Sequence, residues 1–518
     1  MPIEITALGI DFGNATTTII GVEDAGLGTP KFHLFSHTVN GVLKYYFDSV
    51  LASRTYPADI STDDLIPFLD RNDILIEEAE EEVATKPTDA PKLRLDRFDT
   101  HILDNPNADF GKALVHSFFQ QIFNELWNQS TYVFRPTHIC YNLPIYPHVA
   151  ERKIYDAAVR GALADIFKLK KEQIYPASAA LLSTVAYARV AQVEEGTPIL
   201  TVDCGGKTTG IAVARAHYKN GELCLDAGDT LPPYSIEGSS TSIGLALTRA
   251  IYQNVRQMSA LTGSDACLTW QQAERAKCEL LAALTPAAAW GGHEIRVPIT
   301  GAICLTCNAP ERSQNAYDVS NYVKSILDIE EHVTNYIAEL QDLRAFLGGN
   351  TPILLLTGGS SCAKLLRDTV EGAVRAALGD VDTECFLASA NFPGLAPVEV
   401  PAYKIAAAYG AAYVAYKKKG STANMQGIDV GTGTRELYSI EQQIKESRRN
   451  TKKLAKATET LKRRLQEIIK AHKLPPKATA AEEAKMLEAL RQELIGLLSS
   501  EEFFAHLEEN GDTDDTDR

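Results

Sequence analysis

Long apolar runs, paired metal-binding motifs and an excess of basic residues are all missing from this sequence of 518 residues. No uninterrupted apolar run approaches the roughly 20 residues of a membrane-spanning helix, and the first residues lack the basic segment and cleavage site of a secretory signal. The nine cysteines are sparse and odd in number, which indicates free thiols in a reducing compartment. The net charge of −16 argues against whole-surface binding to nucleic acid or to an anionic membrane. These absences favour a cytoplasmic protein.

Motifs for zinc or for a nucleophilic centre are also scarce. The pair Cys304-Leu-Thr-Cys307 has no second CxxC to complete a structural zinc site, which needs four ligands. The 11 histidines are scattered, with no HExxH motif and no His/Cys cluster. The chemical signal of the sequence lies instead in its glycine-containing turns.

Two segments about 190 residues apart share one plan, in which a strand leads through an Asp-x-Gly turn into a second strand. The predicted strands and turns are Ile5–Ile10, Asp11-Phe-Gly-Asn-Ala15 and Thr17–Val22 in the first segment, and Pro198–Val202, Asp203-Cys-Gly-Gly-Lys207 and Thr209–Ala214 in the second. Such a turn leaves backbone N–H groups free to face a phosphate. The aspartate beside it can hold Mg²⁺ through water, because Mg²⁺ keeps much of its hydration shell. The repetition predicts two related halves around one magnesium and phosphate site.

A third turn completes the combination. The strand predicted at Pro352–Leu356 ends in Thr357-Gly-Gly-Ser-Ser361, and a helix follows from about Ala363. Its N-terminus would face a nucleotide, and the two glycines allow the backbone to approach the ligand closely.

These motifs resemble those of the actin/Hsp70/sugar-kinase superfamily, and within it the nucleotide-binding domain of Hsp70 chaperones. LGIDFGNATTTIIGVED is similar to the first phosphate motif, ILTVDCGGKTTGIAVA to the second, ILLLTGGSSCAKLL to the adenosine motif, and YKIAAAYGAAYVAY to the closing hinge helix. AERAKCELL resembles the helix that clasps adenine, and residues 141–166 resemble a strand that runs into its helix. The resemblance covers roughly residues 5–418. It implies an α/β, two-lobed actin-like ATPase fold of duplicated RNase H-like domains that binds ATP or ADP with Mg²⁺.

The resemblance also implies a domain plan and a set of site residues. The domains are lobe I at 1–197 with its outer subdomain at about 37–129, lobe II at 198–401 with its outer subdomain at about 236–315, and the hinge helix at 402–418 returning to lobe I. Asp11 and Asp203 would orient Mg²⁺ through water, and Lys207 lies in the phosphate loop beside them. The implied nucleotide contacts are Gly13, Asn14, Ala15, Gly205, Gly206, Thr208, Glu274, Lys277, Gly358, Gly359 and Ser360.

Several positions depart from the family pattern. The family's Thr-Thr pair is Asn14-Ala15 here, its catalytic lysine falls at Glu80, and the glutamate of its N-E-P-T-A-A segment falls at Pro176. Other departures are Lys207, Gly210, Cys278 and Cys362. Because phosphoryl transfer depends on positioning and on positive charge near the γ-phosphate, these losses predict slow or absent hydrolysis. Lys207 either substitutes for the missing lysine or neutralises the phosphate of a permanently bound nucleotide.

The C-terminal region departs further. Residues 419–437 suit a linker, 438–508 a helical hairpin with a weak heptad stripe, and 509–518 an acidic disordered tail. The segment 441–473 carries a net charge of +7, from 11 Lys and Arg against 4 Glu. It reads as the solvated face of a coiled coil, with a protein-binding or RNA-binding stripe as the alternative. The pattern after residue 418 predicts helix and no strand-rich peptide-binding domain, so the hairpin is expected to be either a relic lid or an interaction arm.

The function predicted from the sequence is a chaperone-related regulator or scaffold that binds ATP or ADP with Mg²⁺ and hydrolyses ATP weakly or not at all. A protein partner would bind the helical hairpin, and the resemblance also allows a co-chaperone. The alternatives are a slow but active ATP-dependent Hsp70-type chaperone and an actin-like filament-forming protein. A small-molecule kinase is disfavoured, because no candidate general base accompanies Asp11 and Asp203.

Overall fold

Strands and helices alternate through much of the chain in its computed structural model, as the sequence predicts for a layered α/β protein. The residues described are 2–13, 16–24, 30–39, 42–53, 55–56, 60–69, 74, 76, 93–96, 98–103, 105, 108–144, 149–205, 209–219, 222–226, 234–236, 276, 279–280, 295–300, 303–307, 316–318, 333–334, 337, 346–386 and 388–419. All of them belong to one compact unit, Met1–Gly433.

The strands are named β1 to β19 and the helices α1 to α7 in chain order. The strands are β1 (Ile3–Phe12), β2 (Thr16–Glu23), β3 (Lys31–Leu34), β4 (His37–Val39), β5 (Val42–Lys44), β6 (Phe47–Asp48), β7 (Val50–Ser53), β8 (Leu93–Asp96), β9 (Tyr132–Asn142), β10 (Ile174–Ala177), β11 (Pro198–Cys204), β12 (Thr209–Lys219), β13 (Glu222–Asp226), β14 (Tyr234–Ile236), β15 (Ile295–Thr300), β16 (Ile303–Cys307), β17 (Ala316–Asp318), β18 (Ile353–Thr357) and β19 (Asp382–Cys385). The helices are α1 (Thr62–Leu69), α2 (Phe98–Leu103), α3 (Ala108–Asn128), α4 (Val149–Phe167), α5 (Ala179–Ala191), α6 (Lys364–Leu378) and α7 (Ala402–Lys419).

The first half of the chain builds a mixed sheet around β1. This strand pairs antiparallel with β2, which continues to β3, and it pairs parallel with β9 on its other side, next to β10. The strands predicted at Ile5–Ile10 and Thr17–Val22 are present and extend beyond the prediction at both ends. Most residues of β1 and β2 are buried, as near-continuous apolar runs indicate for strands covered on both faces.

The second half repeats this arrangement around β11. β11 pairs antiparallel with β12, which continues to β13, and parallel with β18, next to β19. Parallel neighbours need a crossover connection, and a helix supplies it in each half, α4 between β9 and β10 and α6 between β18 and β19. The prediction that the two segments share one plan is confirmed in strand order and direction.

Two helices join these sheets. α7 packs on β1, β2 and β9, while α5 packs on α7 and on β11 and β12. Both contacts are close: a Cβ atom added to Gly9 of β1 would collide with the backbone of Ala412, and one added to Gly410 of α7 would collide with the carbonyl oxygen of Leu182. Apolar residues of both sheets and both helices form one continuous buried cluster. The two halves are therefore held together by helix packing at glycine contacts.

The outer parts of the domain plan are described to different extents. The predicted outer subdomain at 37–129 contains β4 to β8 and α1 to α3, and the small sheet β15-β16-β17 begins within the one at 236–315 and ends at Asp318. Lys419, which the prediction gave to the linker, is the last residue of α7. The rest of the linker, the hairpin at 438–508 with its basic segment, and the tail at 509–518 lie outside the described residues. None of the described helices meets the length and hydropathy that a membrane span requires.

The outer edge of the first sheet is covered by a segment from the second half. The backbone N–H of Phe32 in β3 donates a hydrogen bond to the carbonyl oxygen of Gly394, at 2.8 Å, and Phe32 forms a parallel bridge with Leu395. The Phe32 ring lies 4.7 Å from the ring of Tyr409 in α7, and the Tyr409 hydroxyl donates to the carbonyl oxygen of Pro393 at 2.6 Å. The segment that leads from β19 to α7 is thus fixed to β3.

Arg189 of α5 is expected to stabilise the packing of α5 against α7. Its guanidinium carbon lies 4.0 Å from the ring centroid of Tyr413 and 5.4 Å from that of Tyr409. Arg189→Ala should lower the free energy of unfolding by about 2 kcal/mol, because a partly desolvated cation–π contact and its apolar packing are lost. Denaturant titration measures this. Arg375→Ala, which removes an exposed helical ion pair with Glu371, should cost less than about 0.5 kcal/mol; equal losses in the two variants would contradict the assignment.

Candidate functional site

The first glycine turn lies at the end of β1. The N–H of Gly13 donates to the carbonyl oxygen of Thr16 at 3.1 Å, and a Cβ atom on Gly13 would lie only 2.7 Å from that oxygen. The buried Phe12 anchors the turn: its N–H donates to Oδ1 of Asn142 at 2.6 Å, and its ring packs 5.1 Å from that of Phe119. Side chains alternate along a strand, so Asp11 points to the same face as Gly9, toward α7.

The second and third turns meet in the other sheet. Asp203 of β11 lies beside Thr357 of β18, and Gly358 follows directly. Gly358 has φ of 88°, and a Cβ atom there would collide with the Asp203 carboxylate and with the carbonyl group of Cys204. The Ser360 hydroxyl donates to the carbonyl oxygen of Gly205 at 3.0 Å. A glycine at 358 is therefore required both by backbone conformation and by space.

Asp11 and Asp203 are brought together from the two sheets. Burial raises the pKa of Asp11 to about 7, with the charge of Asp203 as a second cause, and burial raises the pKa of Asp203 to about 6. Both side chains keep a small exposed surface although protein atoms surround them. Two carboxylates that are disfavoured as anions in this way form a place where a cation is stabilised.

The donor set fits magnesium held through water better than a metal held directly. Among the residues that the structure describes, no group of three or more His, Cys, Asp or Glu side chains is arranged to bind a metal ion. Hydrated Mg²⁺ needs only one or two carboxylates together with phosphate oxygens. In such a site Asp11 and Asp203 would supply the carboxylates.

The thiol beside the carboxylates is kept in its protonated form. Cys204 follows Asp203 and is buried, and burial raises the pKa of its thiol to about 12. The thiolate, not the thiol, is the reactive form. Cys204 is therefore a buried thiol that supports the turn and is in contact with the side chains of Ser361 and Thr209.

Two side chains at the site were not predicted from the sequence. Asn142 ends β9 and fixes the backbone of Phe12, and Lys404, in the first turn of α7, is close enough to Asp11 for its charge to oppose the rise of that pKa. Neither residue belongs to a glycine turn. The signal available for Asn142 was its place in the segment 141–166, which resembles a strand that runs into its helix. For Lys404 the signal was its place at the start of the predicted hinge helix.

The structure describes only some of the nucleotide contacts that the sequence predicts. Of the phosphate and nucleotide contacts, Gly13, Gly205, Gly358, Gly359 and Ser360 lie at the ends of β1, β11 and β18. Outside the described residues lie Asn14, Ala15, Gly206, Lys207, Thr208, Glu274 and Lys277.

No protein-family model matches the chain, and no curated protein matches it. The arguments about function consequently depend on the residues and geometry of this chain, and the resemblance of its motifs to the Hsp70 group stays a prediction.

Proposed function

We propose that the chain is a divergent Hsp70-like protein that binds ATP or ADP together with Mg²⁺. In this proposal the two sheets of equal strand order are the duplicated RNase H-like domains of a two-lobed actin-like ATPase fold. The observation that carries it is the approach of Asp11 and Asp203, each of which is the second-last residue of the corresponding strand in its own sheet. A pair of carboxylates placed symmetrically between two halves suits one shared metal-bound phosphate group better than two separate sites.

The turns supply the nucleotide contacts in this proposal. Gly13 closes its turn against Thr16, and Gly358 lies directly against Asp203. The β- and γ-phosphates would lie beside these two turns, facing backbone N–H groups. The 3₁₀ turn Gly359–Cys362 leads into α6, so that its backbone N–H groups would face the α-phosphate and ribose. Bound Mg²⁺ would neutralise phosphate charge. The protein's own contribution is to hold the two carboxylates at fixed positions on rigid strand ends.

We further propose that binding, rather than turnover, is the biological event. Efficient hydrolysis needs a residue that positions the attacking water and positive charge at the γ-phosphate, and the sequence replaces several of those groups. A nucleotide that contacts the turns of both sheets stabilises arrangements in which the turns are close, through its differential affinity. This is the basis for a cytoplasmic regulator or scaffold, with residues 438–508 as the segment that binds a protein partner.

Purified protein is expected to bind or to contain adenine nucleotide. Denaturation in acid should release ATP or ADP, identified by chromatography, or else the nucleotide-free protein should bind MgATP and MgADP in isothermal titration. Chelation of Mg²⁺ should weaken binding, because the two carboxylates would then repel the phosphates. A protein that releases no nucleotide and binds none with Mg²⁺ present would overturn the proposed function. Single-turnover hydrolysis that is fast on the timescale of nucleotide release would instead favour the ATPase alternative.

A further inference from the structure

Lys404 is fixed beside the carboxylate pair by its backbone. Its carbonyl oxygen accepts a hydrogen bond of 2.9 Å from the hydroxyl of Thr18, a buried residue of β2. Thr18 is the cross-strand partner of Asp11 in the β1–β2 pair. The start of α7 is thus attached at the position that faces Asp11, although Thr18 and Lys404 are separated by 386 residues in the chain.

The ammonium group of Lys404 is held by aromatic rings. Its Nζ atom lies 5.0 Å from the ring centroid of Tyr46 and 5.6 Å from that of Tyr403. Tyr403 in turn reaches the third turn, since a Cβ atom on Gly359 would lie 3.8 Å from its ring. Lys404 is therefore placed between the turn that contains Asp11 and the turn that contains Gly359.

Within the described part of the chain, none of the ion pairs includes Lys404, so its positive charge is available to a ligand. The side chain is only partly buried, so a ligand can reach it. An ammonium group at a glycine turn and near a carboxylate pair is suited to a polyphosphate, whose oxygens accept charge-assisted hydrogen bonds. Two rings that carry no charge orient the cation without neutralising it.

We propose that Lys404 binds the terminal phosphate of the nucleotide. It would supply the positive charge for which the sequence motif offered Lys207. The proposal rests on the proposed function, since it names a contact within the same site. It assigns the contact to the phosphates beyond the α-phosphate, because the backbone of Lys404 is bonded to Thr18, the cross-strand partner of Asp11.

The test compares nucleotides of different phosphate number. MgATP, MgADP and adenosine are titrated into the full unaltered chain and into the variants Lys404→Gln and Lys404→Arg. The control variant is Lys418→Gln. Lys418 lies at the other end of α7, and its ammonium group lies 5.5 Å from the ring centroid of Tyr175. Lys404→Gln should weaken MgATP and MgADP by about 10- to 100-fold and leave adenosine affinity unchanged. Lys404→Arg should restore most of the loss, and Lys418→Gln should bind as the unaltered chain does.

The outcomes separate the two proposals. Unchanged MgATP and MgADP affinity in Lys404→Gln would overturn the role of Lys404 while the proposed function stands. An equal loss for adenosine and MgATP would also overturn it, because the effect would then lie in the folding of the site and not in a phosphate contact. If the unaltered chain binds none of the three ligands, the proposed function itself fails.

Discussion

Replacing Asp11 with asparagine is expected to weaken magnesium-dependent binding of ATP and ADP by at least about 100-fold. In the proposed function the pair formed by Asp11 and Asp203 would hold the cation by charge. Asparagine keeps the shape of the side chain but removes half of that charge. The same measurement without Mg²⁺ should show a much smaller difference between the two proteins, because one repulsive carboxylate is gone. Isothermal titration at pH 7.5, with and without chelator, measures both effects.

The same substitution is expected to stabilise the nucleotide-free protein at neutral pH. The pKa of Asp11 is raised from 3.8 to about 7, so between about pH 4 and pH 7 the folded protein retains a proton that the unfolded chain has released. Stability therefore falls as the pH rises through this window. One pKa unit corresponds to about 1.4 kcal/mol, and the cost of ionising Asp11 in the folded protein is accordingly up to about 4 kcal/mol. Asparagine does not ionise, so the variant escapes this cost.

The pH profile of the difference between the two proteins is the decisive measurement. Asp11 interacts electrostatically with Asp203, Tyr155 and Lys404, and all three of these residues are present in both proteins. The lowered pKa of the buried His37 makes stability change in the opposite direction, and it cancels in the difference. The gain in unfolding free energy should be near zero at pH 4 and a few kcal/mol at pH 7.5.

Asp380→Asn is the matched control, because it removes the same charge from an exposed loop between α6 and β19. It should change neither nucleotide affinity nor the pH dependence of stability measurably. A variant at Asp11 that bound MgADP as well as the control does would show that the carboxylate pair is not the metal site. A flat difference in stability from pH 4 to pH 7.5 would show that Asp11 ionises freely in the folded protein.

Replacing Gly410 with alanine is expected to destabilise the protein by about 3 kcal/mol or more, although alanine is the better helix former. Gly410 lies inside α7, where an added Cβ atom would collide with the carbonyl oxygen of Leu182 in α5. Neither backbone can move alone, because α7 is also in close contact with β1 at Gly9. Denaturant titration measures the loss, and nucleotide affinity should fall with it, since α7 carries Lys404.

Gly372→Ala provides a control of the same chemistry. Gly372 lies inside α6 and is exposed, and no atom lies within 4 Å of the position that its Cβ would occupy. This variant should be more stable by roughly 0.5–1 kcal/mol, because alanine has less backbone freedom to lose on folding. Changes of the same sign in the two variants would contradict the close packing of α5 against α7.

Local signals in the sequence accounted for the centre of the fold. The strands β1, β11 and β18 are apolar runs that are directly followed by a glycine, and both features can be recognised within about ten residues. The equal order of the two sheets followed from the repetition of one such run. Short strands such as β3, with four residues, carry no comparable signal because their partners determine them.

The candidate site was predictable only where its residues belong to a turn. A glycine beside the end of a predicted strand identifies Asp11, Gly13, Asp203 and Gly358. No such local signal identifies Lys404, because its position depends on the hydrogen bond from Thr18 and on the packing of α7 against β1. Positive charge was sought in the sequence at Lys207, within the turn, since contacts between residues far apart in the chain cannot be read from spacing.

The attachment of Gly394 to Phe32 has a consequence for self-association. A sheet edge with unpaired backbone groups invites another strand, but at β3 the N–H of Phe32 is already taken by a segment of the same molecule. That segment continues into α7 and so into Lys404. Polymerisation by strand addition at this edge would first have to detach the segment that leads into α7. Chains joined there would therefore lose the phosphate contact proposed for Lys404.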